Sequence, residues 1–352
     1  MKKRVLLIPF LILSIVFLSA CGSKDLDVNK TKKDKFGTLS YEVPEDFSKE
    51  SVDKIEDSSL TFSAYQYIYN KMGSNGKFDD ACSLSFFSSK NDSTETIEEF
   101  AKELAKKAGI IMKEYFYKNN QIEYKSDKSP VTIADKLINK MVIEEVKKKY
   151  PNHGIDGEEE KYLSDREYLW VLDPIDGTSS YTRHIPISVF SLALVIDGEP
   201  SVGVVYDPYL DEMYTAIIGE GAYCNGNPIH VNNIDLNETG STIDFCMWNN
   251  MKYDTFKVIT ELRKNNAISI IGSVARACMA IASGKISGEL FPGYDHGHCD
   301  MAASKLIVTE AGGKVTSFYG KAQKYNRGIE GALISNGLIH DKLLEIIIKT
   351  EA

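Results

Sequence analysis

The 352-residue sequence predicts a layered α/β (α+β) sandwich preceded by a small β-rich module. Three observations favour this class. Apolar residues recur three and four positions apart over residues 97–115 and again over residues 134–146, as on one face of a helix. Strand-like apolar runs then follow, and helical patterns return near the end of the chain. Helices that alternate with a mixed sheet pack as layers around a shared core.

The N-terminus predicts export. Three basic residues at positions 2–4 precede an apolar run at residues 5–18, and small residues then lead into Cys21. The run is shorter than a typical membrane span, so residues 1–21 are predicted to be a signal peptide, with an uncleaved anchor as the alternative. Leu-Ser-Ala-Cys resembles a bacterial lipobox. This resemblance implies a lipid such as palmitate on Cys21 and an anchored position on the extracytoplasmic face of the cell membrane.

Two segments separate this signal from the helical region. Residues 22–35 are polar and rich in lysine, which is typical of a flexible tether near an anionic membrane surface. Residues 36–92 alternate apolar and polar positions over short runs around a Gly-rich turn, and they predict a small β-rich module. Nothing in this module indicates chemistry, so its role is left open. The large domain is predicted over residues 95–350.

The elements of the large domain follow in order. The first helix covers residues 97–115, and the second ends before Pro151. The runs YLWVL, FSLALVI, SVGVVYD and EMYTAII predict strands, and Asn-Gly in CNGNPIHV predicts a hairpin turn. VARACMAIASG and DMAASKLIVTEAGG predict two further helices, the last of which ends at a Gly pair.

Composition narrows the range of partners. The net charge is −9, and no basic patch with interleaved aromatic residues is present, so no nucleic-acid partner is expected. The six cysteines include no CxxC pair, which argues against a zinc knuckle. If Cys21 carries a lipid, the other five cannot all pair, and we expect no disulfide framework.

Acidic residues form the main functional signal. Asp173 and Asp176 flank Pro-Ile in WVLDPIDGTSSY, directly after an apolar strand. Because a carboxylate is costly to bury without a partner, this pair suggests a cation. Asp135 and Asp300 stand at predicted helix starts, and Glu158 stands where the chain leaves a predicted strand. Helix dipoles alone could explain the two helix-start residues, but not the Asp-Pro-Ile-Asp turn. Oxygen ligands without His or Cys suit Mg²⁺.

The residues after the acidic pair suit a phosphate group. Gly177 and Thr178 begin a predicted helix, whose free N–H groups can receive phosphate oxygens. Two or more divalent cations can activate water and stabilise the leaving oxygen of a phosphate ester. The residues therefore predict metal-assisted hydrolysis of a phosphomonoester.

The segments GEE, WVLDPIDGTSSY and DMAASKLIVTEAGG, in this order, resemble the signature regions of the inositol monophosphatase family. The resemblance covers residues from about 95 to 350. It implies a fold of the inositol monophosphatase and sugar phosphatase type, with two or three Mg²⁺ ions and sensitivity to lithium. It also implies a small phosphate ester as substrate and the formation of homodimers.

The resemblance implies ligands for the metal ions, which are Glu158, Asp173, Ile175 through its carbonyl, Asp176 and Asp300. Glu158 and Asp135 would help to hold a third ion and to orient the attacking water. Thr178 would help to activate that water through a hydrogen bond to Asp135. The implied substrate contacts are Asp176, Gly177, Thr178, Ser179, Arg183 and Asp300.

Two departures from the family pattern leave the substrate open. Cys299 precedes Asp300 where the family usually has Trp. Gly293 stands where inositol-cleaving members usually have a Glu that binds ring hydroxyls, and a site without that acceptor discriminates less well for a polyol. Three nearby polar residues could line the pocket instead or only fill the loop: Asp295, His296 and His298. An inositol monophosphate-like substrate, histidinol phosphate and a nucleotide or sugar phosphate all remain open, as does a lipoprotein that only binds a phosphorylated ligand.

Overall fold

The computed structural model describes residues 96–118, 122–125, 128–248, 251–294 and 296–351, together with the backbone of five strands between residues 31 and 90. The chain divides into two compact units, Met1–Ile97 and Glu98–Ala352. The predicted signal peptide with Cys21 lies outside the described residues, as does Asp295. The predicted lipid and export therefore stay predictions.

The first unit contains strands only, within its described part. The strands are β1 (Thr31–Phe36), β2 (Leu39–Pro44), β3 (Ser48–Asp57), β4 (Leu60–Met72) and β5 (Phe78–Lys90). β1 and β2 form an antiparallel pair, and β3, β4 and β5 form an antiparallel sheet. β1 begins inside the segment predicted as a tether, whereas the other four strands lie inside the predicted β-rich module.

The helices of the second unit are α1 (Ile97–Tyr115), α2 (Ile133–Lys149), α3 (Thr178–Tyr181), α4 (Phe256–Leu262), α5 (Val274–Ala282), α6 (Gly297–Glu310) and α7 (His340–Glu351). Its strands are β6 (Glu123–Tyr124), β7 (Pro130–Val131), β8 (Gly154–Gly157), β9 (Lys161–Tyr162), β10 (Tyr168–Asp176), β11 (Val189–Ile196), β12 (Glu199–Asp207), β13 (Glu212–Ile217), β14 (Ala222–Cys224), β15 (Asn227–Pro228), β16 (Thr242–Phe245), β17 (Ala267–Ser269), β18 (Gly288–Phe291), β19 (Lys314–Thr316) and β20 (Ala332–Ser335).

Two mixed sheets form the framework of this unit. The first has eight strands in the order β15-β14-β13-β12-β11-β10-β8-β9, and only β8 and β10 pair in parallel. The second has five strands in the order β17-β16-β18-β20-β19, with parallel pairs on both sides of β16. β6 and β7 form a separate antiparallel pair.

Helices α5 and α6 lie between the two sheets. Both contact strands of the first sheet, and α5 also packs on β18 while α6 packs on β19. The side chains of α5 are almost all buried, because a helix that has a sheet on either side needs an apolar surface all round. On the outer face of the first sheet, α1 approaches β12 so closely that a Cβ at Gly109 would lie 2.4 Å from Tyr206. The result is the predicted layered sandwich.

The sequence patterns locate most of these elements correctly. The predicted first two helices, the four strand runs and the last two named helices match α1, α2, β10 to β13, α5 and α6. Asn225 and Gly226 both have positive φ, as a tight hairpin turn between β14 and β15 requires. No helix in the described part of the chain is long and apolar enough to cross a membrane.

The α6 interface should dominate the stability of the second unit. Leu306 on α6 is fully buried in the main core cluster. Because Leu306→Ala removes apolar surface and leaves a cavity, we expect the free energy of unfolding to fall by about 2–5 kcal/mol. Chemical denaturation would measure this loss. Leu210→Ala, at a side chain that is 59% exposed, is the matched control and should change stability by less than about 0.5 kcal/mol. Equal effects of the two substitutions would contradict the assigned core.

Candidate active site

A cavity of about 290 Å³ opens in the second unit, at the end of β10. Its lining includes eight residues singled out from the sequence, namely Glu158, Asp173, Ile175, Asp176, Gly177, Thr178, Ser179 and Asp300. Residues from three distant parts of the chain therefore meet at one cavity.

A bulge in β10 brings its two aspartates to the same place. In a regular strand, residues three positions apart point to opposite faces. Asp173 pairs with Ser191 and Asp176 pairs with Val189, so β10 has one more residue than β11 in this interval. Pro174 cannot donate to the ladder, and the N–H of Ile175 donates to Asp173 Oδ1 at 2.9 Å instead. The predicted turn is thus a bulged strand end.

The ends of α5 and α6 complete the acidic cluster. Ser273 Oγ and the backbone N–H of Ala275, at the start of α5, each donate to Asp176 Oδ2 at 2.6 Å. Asp300 lies in the first turn of α6, and the Tyr294 hydroxyl lies 3.0 and 3.1 Å from its two carboxylate oxygens. One oxygen from each of Asp173, Asp176 and Asp300 lies within 4.8 Å of the others.

Burial and mutual repulsion of these carboxylates favour the binding of a cation. Burial, followed by the nearby carboxylates of Glu158 and Asp300, raises the pKa of Asp173 well above its usual range. Burial and the Asp176 carboxylate likewise raise the pKa of Asp300 well above its usual range. Burial also raises the pKa of Asp176 to about 6, although its hydrogen bonds oppose this shift. A divalent cation would remove this repulsion, and a donor set of carboxylate oxygens fits Mg²⁺.

Glu158 extends the acidic surface of the cavity. It directly follows β8, and its N–H donates to Leu172 of β10 at 3.0 Å. Its carboxylate accepts from Lys125 Nζ at 2.9 Å, and the same ammonium group donates to Glu159 at 2.7 Å. Burial lowers the pKa of Lys125, but the two glutamates more than offset this and hold it above its usual value. Lys125 is therefore a charged partner of a predicted ligand, and the sequence analysis missed it.

Asp135 lies behind the cavity rather than in its lining. It is fully buried at the third position of α2, where it forms a capping box with Thr132, whose hydroxyl donates to Asp135 Oδ2 at 2.5 Å. Burial raises the pKa of Asp135 to about 7 despite the hydrogen bonds from Thr132. Thr178 Oγ1 lies 3.4 Å from Asp135 Oδ1 and 2.9 Å from the carbonyl of Ile175. A hydroxyl has one proton, and the shorter contact to Ile175 is the stronger one here.

The segment after the acidic pair is tightly packed. Gly177 precedes the single-turn helix α3 and has φ of +90°, and a Cβ there would lie 3.1 Å from Ser273 and 3.2 Å from the carbonyl of Gly272. Glycine is required at this position for both reasons. Ser179 lines the cavity. Arg183, in contrast, is exposed and does not line the cavity. Its Nη1 donates to the carbonyl and the hydroxyl of Ser179 at 3.0 and 3.2 Å.

Two of the three polar residues considered as substitutes near Gly293 lie within the described structure, and neither lines the cavity. His296 and His298 are not part of its lining, and His298 instead pairs with Asp156. Gly293 has φ of +77°, and a Cβ there would lie 2.5 Å from the backbone nitrogen of Gly331. Close approach of two backbone segments therefore excludes a larger residue, which explains why glycine replaces the glutamate of the family pattern.

The cavity is also lined by residues that were not predicted from the sequence, among them Lys128, Trp248, Lys252 and Tyr294. The Trp248 and Tyr294 rings meet edge to face, with centroids 5.3 Å apart. Lys252 Nζ approaches Glu330 at 3.3 Å, so part of its charge is already balanced. None of these residues belongs to a local motif, because loops that are distant in the sequence bring them together.

Comparison with known proteins places the chain among phosphatases. Residues 93–350 match the family model described as the inositol monophosphatase family. A fructose-1,6-bisphosphatase/inositol-1-monophosphatase of Thermotoga maritima is 34% identical over 256 residues, which cover 71% of this chain and 94% of the relative. Inositol monophosphatase 3 of Solanum lycopersicum is 34% identical over 239 residues, with coverage of 64% and 87%. The solved structure of a Thermotoga maritima IMPase superimposes with a TM-score of 0.65 at 31% identity, covering 72% of this chain and 97% of that one.

The fold and the acidic cavity define a Mg²⁺-dependent phosphatase that hydrolyses phosphate monoesters. More specifically, the chain belongs to the inositol monophosphatase family. The expected fold and reaction class are thereby confirmed.

Stabilisation by Mg²⁺ should increase with pH. The folded protein without metal holds protons on Asp176 and Asp135 more tightly than the unfolded chain does, with pKa values of about 6 and about 7 against about 4. Its stability should therefore fall as the pH rises from about 4 to about 7. Mg²⁺ binds the ionised carboxylates. The rise in Tm on adding Mg²⁺ should therefore be larger at pH 8 than at pH 5. Thermal melts with Mg²⁺ or EDTA would measure it, and a shift independent of pH would contradict the assigned cluster.

Proposed function

We propose that this chain is a lipid-anchored phosphatase on the extracytoplasmic face of the cell membrane, which releases phosphate from a small phosphorylated metabolite. The observation that supports the reaction is the cluster of Asp173, Asp176 and Asp300 at a cavity that Gly177 and Thr178 also line. The carboxylates provide a cation site, and the adjacent backbone provides amide donors for a phosphate.

Two metal positions fit the acidic residues if Asp173 is shared. Glu158, Asp173 and the carbonyl of Ile175 would hold one ion, and Asp173, Asp176 and Asp300 would hold the other. Glu158 and Asp135 would contribute to a third and weaker position. Each Mg²⁺, when bound, supplies Lewis-acid stabilisation of the phosphate oxygens and makes water a better nucleophile.

The residues around the cavity would orient both reactants. The backbone N–H groups of Gly177 and Thr178 would bind phosphate oxygens at the start of α3, and Ser179 would contact the ester next to them. Thr178 Oγ1 would accept a hydrogen bond from the attacking water while its own proton turns from Ile175 to Asp135 Oδ1, which lies 3.4 Å away. The buried Asp135 carboxylate would accept that hydrogen bond while the water attacks. Water would attack phosphorus in line, without a phospho-enzyme.

An inositol monophosphate-like ester is the substrate class we propose first. The Thermotoga maritima relative is named fructose-1,6-bisphosphatase/inositol-1-monophosphatase, and its alignment covers 71% of this chain. Lys128 and Lys252 line the cavity and would attract an anionic substrate. The absence of a carboxylate at Gly293 weakens selection for a polyol, so histidinol phosphate and nucleotide or sugar phosphates are retained as alternatives. Arg183 would contact substrate only if it left Ser179.

A phospho-ligand-binding lipoprotein without activity is the second candidate. Binding a phosphate would need the amide donors and a cation, but not the contact between Thr178 and the buried Asp135. The presence of that contact favours an enzyme. By analogy with its family, we also propose that the chain forms a homodimer, which sedimentation of the purified protein would test.

Phosphate release from a panel of esters would test the reaction. The panel contains inositol-1-phosphate, histidinol phosphate, fructose-1,6-bisphosphate, adenosine monophosphate and a 3′,5′-bisphosphonucleoside, each with Mg²⁺. Asp173→Asn should lower the rate by at least about a hundredfold, because it removes a charge from the centre of the cluster. Asp341→Asn, at an exposed aspartate that pairs with Lys314, is the matched control and should leave the rate unchanged. No release from any ester by a chain that Mg²⁺ still stabilises would support the binding lipoprotein.

Membrane attachment depends on Cys21 in this proposal. Expressed in a bacterium, the full chain should incorporate labelled palmitate and sediment with membranes. Cys21→Ser should lose the label, because the thiol that carries the lipid is gone. Protease added to intact spheroplasts should digest the anchored protein. A chain that is protected until the cells are lysed would place it in the cytoplasm and overturn the proposed location.

A further inference from the structure

A second group of metal-binding side chains lies next to the acidic cluster. Asp156 at β8, and His298 and Cys299 in the first turn of α6, each offer one donor atom, and these atoms lie within 4.8 Å of one another. All three side chains are buried. None of them lines the cavity described above, so the proposed reaction does not use them.

Two distances within this group lie close to the edges of a tetrahedral coordination shell. His298 Nε2 lies 3.2 Å from Asp156 Oδ2 and 3.8 Å from Cys299 Sγ. Zinc bond lengths of about 2.0–2.3 Å place neighbouring tetrahedral donors about 3.3–3.8 Å apart. The donors of Asp156 and Cys299 lie within 4.8 Å of each other, so an ion would draw these two side chains together.

One nitrogen of the group lacks a partner. Nδ1 of His298 is buried and forms no hydrogen bond, which is unusual for a buried imidazole nitrogen. Oδ1 of Asp156 lies 2.8 Å from the ammonium group of Lys161, whose side chain is 48% exposed. Lys161 can therefore turn into solvent and leave the carboxylate free to bind another cation. An ion bound at Nε2 would place the imidazole proton on Nδ1.

The donor types differ from those of the acidic cluster. Asp173, Asp176 and Asp300 offer oxygen only, whereas this group combines nitrogen, sulfur and oxygen. Imidazole and thiolate favour a borderline-soft cation over Mg²⁺. Cys299 also stands where the family pattern usually has Trp, so the sulfur donor departs from that pattern. We propose that Asp156, His298 and Cys299 form a separate site for a divalent cation such as Zn²⁺.

Occupancy of this site would link two segments that carry proposed magnesium ligands. Glu158 follows Asp156 by two residues at the end of β8, and Asp300 directly follows Cys299 on α6. An ion held by both segments would fix the end of β8 against the start of α6. The cation would then act on the acidic cluster through the backbone, without entering the cavity.

Cobalt binding would test the site directly. Co²⁺ would be titrated into the full chain with Mg²⁺ in excess, so that the oxygen cluster is already occupied. We expect a visible spectrum of tetrahedral Co²⁺ and a thiolate charge-transfer band, both saturating at one equivalent and both reversed by Zn²⁺. Cys299→Ser should lose the charge-transfer band. Cys224→Ser, at a partly exposed free cysteine, is the matched control and should retain it.

His298→Asn provides a second test if the cysteine variant does not fold. It removes the nitrogen ligand and should weaken Co²⁺ binding by at least about tenfold, the smallest effect expected even for an outer-shell partner. Thermal melts with Mg²⁺ would show whether each variant folds. A thiolate band that persists in Cys299→Ser, unchanged affinity in His298→Asn, or no band in the unmodified chain would overturn the proposal. These spectra do not depend on phosphate release, so failure here is distinct from failure of the proposed phosphatase activity.

Discussion

Repulsion among three buried carboxylates is the constraint on which the rest of the structure depends. Asp173, Asp176 and Asp300 share one small volume away from solvent, and their pKa values are raised as a result. Such a cluster needs a cation, together with donors that hold each carboxylate in place. The bulge at the end of β10, the start of α5 and the first turn of α6 supply those donors and positions. The acidic cluster therefore depends on the end of β10 and on the N-terminal turns of α5 and α6 meeting at one place.

The layered architecture meets this requirement. Because α5 and α6 lie between the two sheets, their N-terminal turns reach the end of β10 from the interior. The positive ends of their dipoles there favour negative charge. Strand β12 packs closely on α6, since a Cβ at Gly203 would lie 3.2 Å from the carbonyl of Ala303. A rigid core thus supports the loops that form the cavity, and this rigidity suits a site that must hold ions at fixed positions.

Local patterns were informative wherever a function depends on neighbouring residues. Asp173, Asp176 and Thr178 are close in sequence and could be recognised together. Thr132 and Asp135 form an ordinary capping box at the start of α2, and Asp300 is an acidic residue in the first turn of α6. For His296 and His298 the sequence left open whether they line the cavity or fill the loop, because distance along the chain from Asp300 does not reveal which side of a helix faces a site. In the structure neither residue is part of the cavity lining. Lys125, Trp248 and Tyr294 were missed for the same reason. Their roles depend on loops that meet only after folding.

Local patterns in the sequence were sufficient to predict the fold class, the order of the main helices and strands, and the acidic residues that meet at the cavity. Hydrophobic periodicity and local motifs act over a few residues and can be read directly. Three features became visible only in the folded chain: the bulge at the end of β10, the close backbone contact at Gly293, and the group formed by Asp156, His298 and Cys299. These features arise from contacts between segments far apart in the chain. Their geometry is set by how two sheets and the helices between them pack, which no local pattern records.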